Sequence, residues 1–131
     1  MMGFAKNLDD ARDNSPVVPK VGFFTAPASY TDIVGKNVDA SKIDLCVRVI
    51  SVFKCYKASP LTAANAISVM AKLDGSIIAK TLGRIDTDTV RIGHPSGIIT
   101  MIPTIIGGEV KGVASQRTAR RIMDGTLYIR N

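Results

Sequence analysis

Apolar residues in the first half of the chain recur at helical spacing or in continuous runs, whereas beyond residue 77 they gather in short β-branched stretches punctuated by glycine. The opening MMGFAKNLDDARDNSPVVPK predicts a short helix over residues 1–11, with no N-cap evident before it, ended by the Asp13-Asn14-Ser15-Pro16 cluster. VVPKVGFFTA, residues 17–26, predicts a buried strand entered from a proline at its edge. The stretches Pro27-Ala28-Ser29-Tyr30 and Gly35-Lys36-Asn37 then make a loop. In SKIDLCVRVISVFK, residues 41–54, Ile43, Cys46, Val47 and Ile50 recur on one face behind a Ser41/Asp44 pair like a capping box, and predict an amphipathic helix.

TAANAISVMAKL, residues 62–73, predicts a second helix with Thr62 as N-cap and Gly75 as stop. It has almost no charged face, so burial on most sides is expected, with sheet wrapped around it. SIIAKTL, IDTDTVRI, GIITMIPTII, EVKGVAS and a terminal TLYIR predict strands, with Gly107-Gly108 as a hairpin turn. ASQRTARRIMDG fits either a helical turn or an extended, bulged segment. The order predicts an α+β fold in which a mixed, mostly antiparallel β-sheet curls as a barrel around a central buried helix. No internal repeat, Walker motif or dinucleotide-binding glycine pattern is present.

Length and charge narrow the picture. A chain of 131 residues with 46% hydrophobic content is read as one domain, and its longest apolar run falls short of a membrane span. The N-terminus carries acidic residues where a secretory signal would be apolar, so a cytoplasmic location is expected. Cys46 and Cys55 form no CxxC and have no histidine at metal spacing, so they are expected to be reduced, with no metal. A formal charge of +6 admits polyanions as partners. Basic residues cluster only in Arg117-Thr118-Ala119-Arg120-Arg121 and aromatics are 5%, so nucleic acid is not expected as a partner.

RIGHPSG, residues 91–97, brackets the only histidine of the chain with two glycines and a proline, which marks either a demanding turn or part of a site. GHPSG, together with RTARRIMDG and a helix preceded by KAxxxTAA, resembles the PrpF family, which includes 2-methylaconitate cis-trans isomerase and 4-oxalomesaconate tautomerase. The resemblance runs from VPKVGFFTAP to GTLYIR. It implies a diaminopimelate-epimerase-like fold, in which two similar domains each wrap a barrel around a helix and the substrate lies between them. It also implies that this chain matches the C-terminal domain only, while the lysine and cysteine that move the proton belong to the N-terminal domain. No catalytic residue is therefore assigned here, and no metal, nucleotide or flavin is expected.

The residues themselves offer an anion site. A buried helix starting at Thr62-Ala63-Ala64 presents free amides and a positive dipole end to a carboxylate. Candidate substrate contacts are Thr62, Ala63, Ala64, Ser96, Gly97, Lys72 and His94. For His94 and Ser96 the other account is a structural turn, with the resemblance favouring Ser96 as a contact; for Lys72 it is a solvated helix end. For Arg117, Arg120 and Arg121 it is an exposed basic face, against one arginine pinning a carboxylate. Two departures from the family are an alanine at Ala63, where glycine is common, and Tyr56, where histidine is common. The expected function is an isomerase or tautomerase domain for small unsaturated di- or tricarboxylates, working by proton abstraction and return and inactive alone. The alternative is a non-catalytic module that binds an acidic ligand or self-associates through an exposed domain face.

Overall fold

The computed structural model describes residue 3 and residues 5–129. Helix α1 (Leu8–Asn14) is followed by β1 (Val21–Thr25), the short pair β2 (Tyr30–Thr31) and β3 (Asn37–Val38), and a 3-10 turn at Ala40–Lys42. Then come β4 (Leu45–Ser51), β5 (Lys54–Cys55), α2 (Leu61–Lys72), α3 (Ile77–Leu82), β6 (Val90–His94), β7 (Gly97–Ile106) and β8 (Glu109–Ser115). The main sheet has the order β1-β4-β6-β7-β8, with β5 paired to β4; β4 and β6 run parallel and every other pair is antiparallel. It curls over α2 as a half-barrel, giving the expected α+β fold with a central helix.

The inner face of β4 explains why it is a strand. Leu45, Val47 and Val49 point to the core that α2 fills through Ala64 and Ala71, while Cys46 joins a second cluster on the outer face with Val38, Ile43 and Tyr30. Inward Leu45, Val47 and Val49 alternate with Arg48 and the exposed Ile50, a strand period, while Ile43, Cys46, Val47 and Ile50 also fit the helical template. The helix expected over residues 41–54 is thereby corrected: β-branched Val47, Val49 and Ile50 suit a central strand, and Asp44 caps nothing but bonds Arg91.

A second reversal runs the other way. The strand expected at SIIAKTL is helix α3, because Ser76 caps it, its hydroxyl accepting from the Ala79 amide at 3.0 Å, and Ile78 alone is fully buried. At the start of the chain the helix lies at Leu8–Asn14, with Asn7 as the N-cap that the reading had not found; residues 1, 2 and 4 lie outside the described residues. Strand β1 falls where expected but is mostly exposed rather than buried, since it is an edge strand with only β4 beside it.

Helix α2 begins one residue earlier than expected, so Pro60, not Thr62, is the N-cap, and Leu73 is the C-cap. Gly75 lies in the turn beyond it at φ +79°, a conformation suited to glycine. Burial on most sides is only half realised: Ala64, Ser68 and Ala71 are buried, while Thr62 and Ala66 are exposed between β1 and β8. The β7–β8 hairpin turns at Gly107-Gly108 as expected, both at positive φ. Residues 116–129 form no strand or helix, so the terminal strand TLYIR is not formed over its described part, and Arg130 lies outside the described residues.

Candidate functional site

Three features meet at one end of the sheet. The first is the start of α2. The Ala64 amide makes the opening helical bond, to the Pro60 carbonyl at 2.9 Å. The amides of Leu61, Thr62 and Ala63 precede it, and Pro60 offers no side-chain cap. These donors and the helix dipole favour a negatively charged group at that end. Of the predicted trio, Thr62 is exposed and Ala63 half-buried, whereas Ala64 is fully buried and its amide is already used. The Ala63 methyl lines an apolar hollow with Val49 and Phe24, to one side of the helix end.

The second feature is the β6–β7 turn. His94 pairs with Gly97, leaving Pro95 and Ser96 as a two-residue loop, and Gly97 adopts φ +120°, which favours glycine. The Ser96 amide donates to His94 Nδ1 at 3.2 Å. That leaves Nδ1 as an acceptor, so neutral His94 carries its proton on Nε2. Burial, helped by the charge of Arg48, holds the imidazole below its ordinary value and so in the neutral form. The Ser96 hydroxyl donates to the Lys57 carbonyl. This bond joins the turn to the segment that leads through Pro60 into α2.

The third feature, which the sequence reading missed, is a support behind the turn. Tyr30 Oη donates to the carbonyls of His94 and Gly97, both at 2.7 Å. Arg48 lies 4.9 Å above the Tyr30 ring and donates to the Val47 carbonyl at 2.8 Å. The Ile33 amide reaches the Pro95 carbonyl at 2.8 Å. Burial pushes the Tyr30 phenol above its ordinary value, so it keeps its proton as a donor. No local sequence signal marks Tyr30, because its partners lie more than sixty residues away.

The Ser96–Lys57 bond ties the turn of His94, Ser96 and Gly97 to the segment that leads into α2, whereas Thr62 and Ala63 line a hollow with Phe24 and Val49. Lys72 is not among them: ten residues further along the helix places it about 15 Å away. Its ammonium donates to the Thr87 carbonyl at 2.9 Å. Arg117, Arg120 and Arg121 are exposed in the segment after β8, and Arg121 faces Asp124 at 3.4 Å. Cys46 is buried on the outer side of β4 and Cys55 is exposed on β5. Among the described residues no three His, Cys, Asp or Glu side chains are grouped to hold a metal ion, and no helix is long and apolar enough to cross a membrane.

Known proteins are similar to this chain. The family model described as PrpF protein matches residues 1–130. The chain is 35% identical to 3-methylitaconate isomerase of Eubacterium barkeri, over 98% of this chain and 34% of that protein. It is 36% identical to 2-methyl-aconitate isomerase of Shewanella oneidensis, over 98% of this chain and 33% of that protein. A crystal structure of methylitaconate-delta-isomerase superposes with a TM-score of 0.75 at 34% identity, covering 94% of this chain and 32% of that one. The chain spans about a third of the length of these relatives.

Proposed function

Because the chain belongs to the PrpF family, we propose that it is the acid-holding part of an isomerase or tautomerase for small unsaturated di- or tricarboxylates. The observation that carries this reading is the uncapped start of α2, set beside the turn that Ser96 ties to Lys57. Three amides with no intrahelical acceptor bind a carboxylate without a counter-charge, and +6 of net charge draws such acids in. Relatives named for methylitaconate, methyl-aconitate and 4-oxalomesaconate support this substrate class.

The reaction moves a proton at a carbon next to a carboxylate, which requires a base within hydrogen-bond reach. At this end of the sheet His94 spends Nδ1 on the Ser96 amide, and Ser96 spends its proton on Lys57. In line with the family resemblance, base and acid are assigned to another domain, and this chain by itself holds the acid without turning it over. Titration with cis-aconitate and methylitaconate by calorimetry, alongside proton NMR in deuterated water, tests both statements. Saturable binding with no deuterium incorporation is expected; turnover by the chain alone overturns the division of roles, and no binding overturns the acid-holding reading.

One observation favours a second reading, a non-catalytic module that associates with another polypeptide through an exposed apolar face. Ile122, Met123, Leu127, Tyr128 and Ile129 are each at least 80% exposed, an apolar stretch suited to burial against another polypeptide. Sedimentation of the chain separates the cases: a dimer that binds no acid supports this reading, and an acid-binding monomer removes it.

A further inference from the structure

The two edges of the main sheet are guarded differently. Strand β8 carries Glu109 and Lys111, which pair at 2.6 Å, and Lys111 stands as an extra residue where β7 passes directly from Thr104 to Ile105. Charge and a bulge on an edge strand turn away further strands. Strand β1, the opposite edge, reads Val-Gly-Phe-Phe-Thr with no charge, proline or register shift, and Val21 and Phe23 are 50% and 56% exposed. Its free side therefore offers an unprotected row of backbone donors and acceptors. Beside it lies an apolar hollow of about 400 Å³ whose lining includes Gly22, Phe24, Val49, Ala63, Ile67 and Ile77. We infer that β1 pairs antiparallel with β1 of a second copy of this chain, across a two-fold axis at Phe23.

The strand is complementary to itself in that register. Gly22 and Phe24 pair with Val49 and Val47 on the core side, whereas Val21 and Phe23 pair with Ile50 and Arg48 on the outer side. An axis at Phe23 sets Gly22 opposite Phe24 of the other copy, and Val21 opposite its Thr25. A Cβ at Gly22 would meet nothing within 4 Å, so each glycine leaves open, beside Val49, the space that the facing Phe24 ring covers. On the outer side the two Phe23 rings meet at the axis as a cross-strand aromatic pair. Charge admits the same register. Lys20 falls opposite Ala26, so the two Lys20 residues stand about 20 Å apart along the strands, and the two Arg48 residues are three strand spacings or about 14 Å apart. Both separations exceed the roughly 8 Å screening length at physiological salt. The formal +6 of each copy opposes association, so the dimer tightens as salt is raised. This pairing stands whether or not the helix end holds an acid.

A five-residue strand pair with one aromatic contact lies at the small end of interfaces, so a dissociation constant of about 10–100 µM is expected, read by sedimentation of the full chain across that range. Phe23→Lys sets two ammonium groups face to face at the axis and is expected to weaken the dimer about tenfold, as is Phe23→Glu. Mixed in equal amounts, these two variants are expected to dimerise with each other about tenfold more tightly than either does alone, because position 23 faces only itself across the axis. Circular dichroism checks that the variants fold. Phe23→Thr, a strand former without the ring, replaces one that does not, with about fivefold weakening expected. A monomer at every concentration overturns the pairing. So does a dimer that survives Phe23→Lys, which places the contact on another surface such as the apolar stretch after β8. A mixture of the two charged variants that stays monomeric overturns the two-fold register.

Discussion

The phenol oxygen of Tyr30 sits 2.7 Å from the carbonyl oxygen of His94, bridging β2 to the end of β6, and lies equally close to the carbonyl of Gly97. One hydroxyl proton shared by both ends of a two-residue loop fixes the loop from behind. Gly93 makes room for this: a Cβ there would lie 2.9 Å from Ile43 Cδ1 and 3.2 Å from the Tyr30 ring.

Tyr30→Phe keeps the ring under Arg48 and removes the donor shared by the His94 and Gly97 carbonyls. A loss of about 1–2 kcal/mol in urea unfolding is expected, together with weaker methylitaconate binding because the turn loses its position. Gly93→Ala is expected to lower stability by about 1–3 kcal/mol through overpacking against the same ring. An unchanged unfolding midpoint in both variants would show that the clamp carries no load.

Asp44 joins β4 to β6, the parallel strand pair among the described residues. Its carboxylate accepts from the Arg91 amide at 2.7 Å and from the Arg91 guanidinium at 2.6 Å, and its own amide donates back to the Arg91 carbonyl at 2.8 Å. Asp44 is mostly buried and Arg91 is 40% exposed, so the guanidinium bond is screened and the backbone bond matters more. Asp44→Ala is expected to cost about 2 kcal/mol in thermal or urea unfolding, and Asp44→Asn, which keeps the acceptor, about half of that.

The β4–β5 turn places Val52 and Phe53 at φ +50° and +59°. Left-handed backbone is a poor fit for bulky or β-branched side chains, and a two-residue hairpin of this kind prefers Asn-Gly. Val52→Asn with Phe53→Gly is expected to raise stability by about 1 kcal/mol, read from the urea midpoint. A decrease would mean that Phe53, which borders Leu8 and Pro16 of the N-terminal segment, contributes more by packing than its backbone costs.

His94 titrates below its ordinary value of 6.5, first because it is buried and then because of Arg48. The folded chain therefore binds this proton less readily than the unfolded chain. Its contribution to stability is complete above pH 6.5 and is lost as pH falls through the lower folded value. Unfolding midpoints measured between pH 8 and pH 5 should decline over the acidic part of that range, and His94→Gln should flatten the decline. An identical slope in the variant would assign the pH dependence to other groups.

The sequence by itself determined the features whose causes are local. Alanine-rich periodicity located α2 to within one residue, Gly107-Gly108 marked the β7–β8 hairpin, and GHPSG marked both the β6–β7 turn and the family. Tertiary structure alone decided the rest. Whether residues 45–51 were helix or strand depended on β1 and β6 lying on either side to pair with them, since their apolar spacing fits both periods. The Tyr30 clamp and the free edge of β1 are relationships across long stretches of chain, and no short window of residues encodes them.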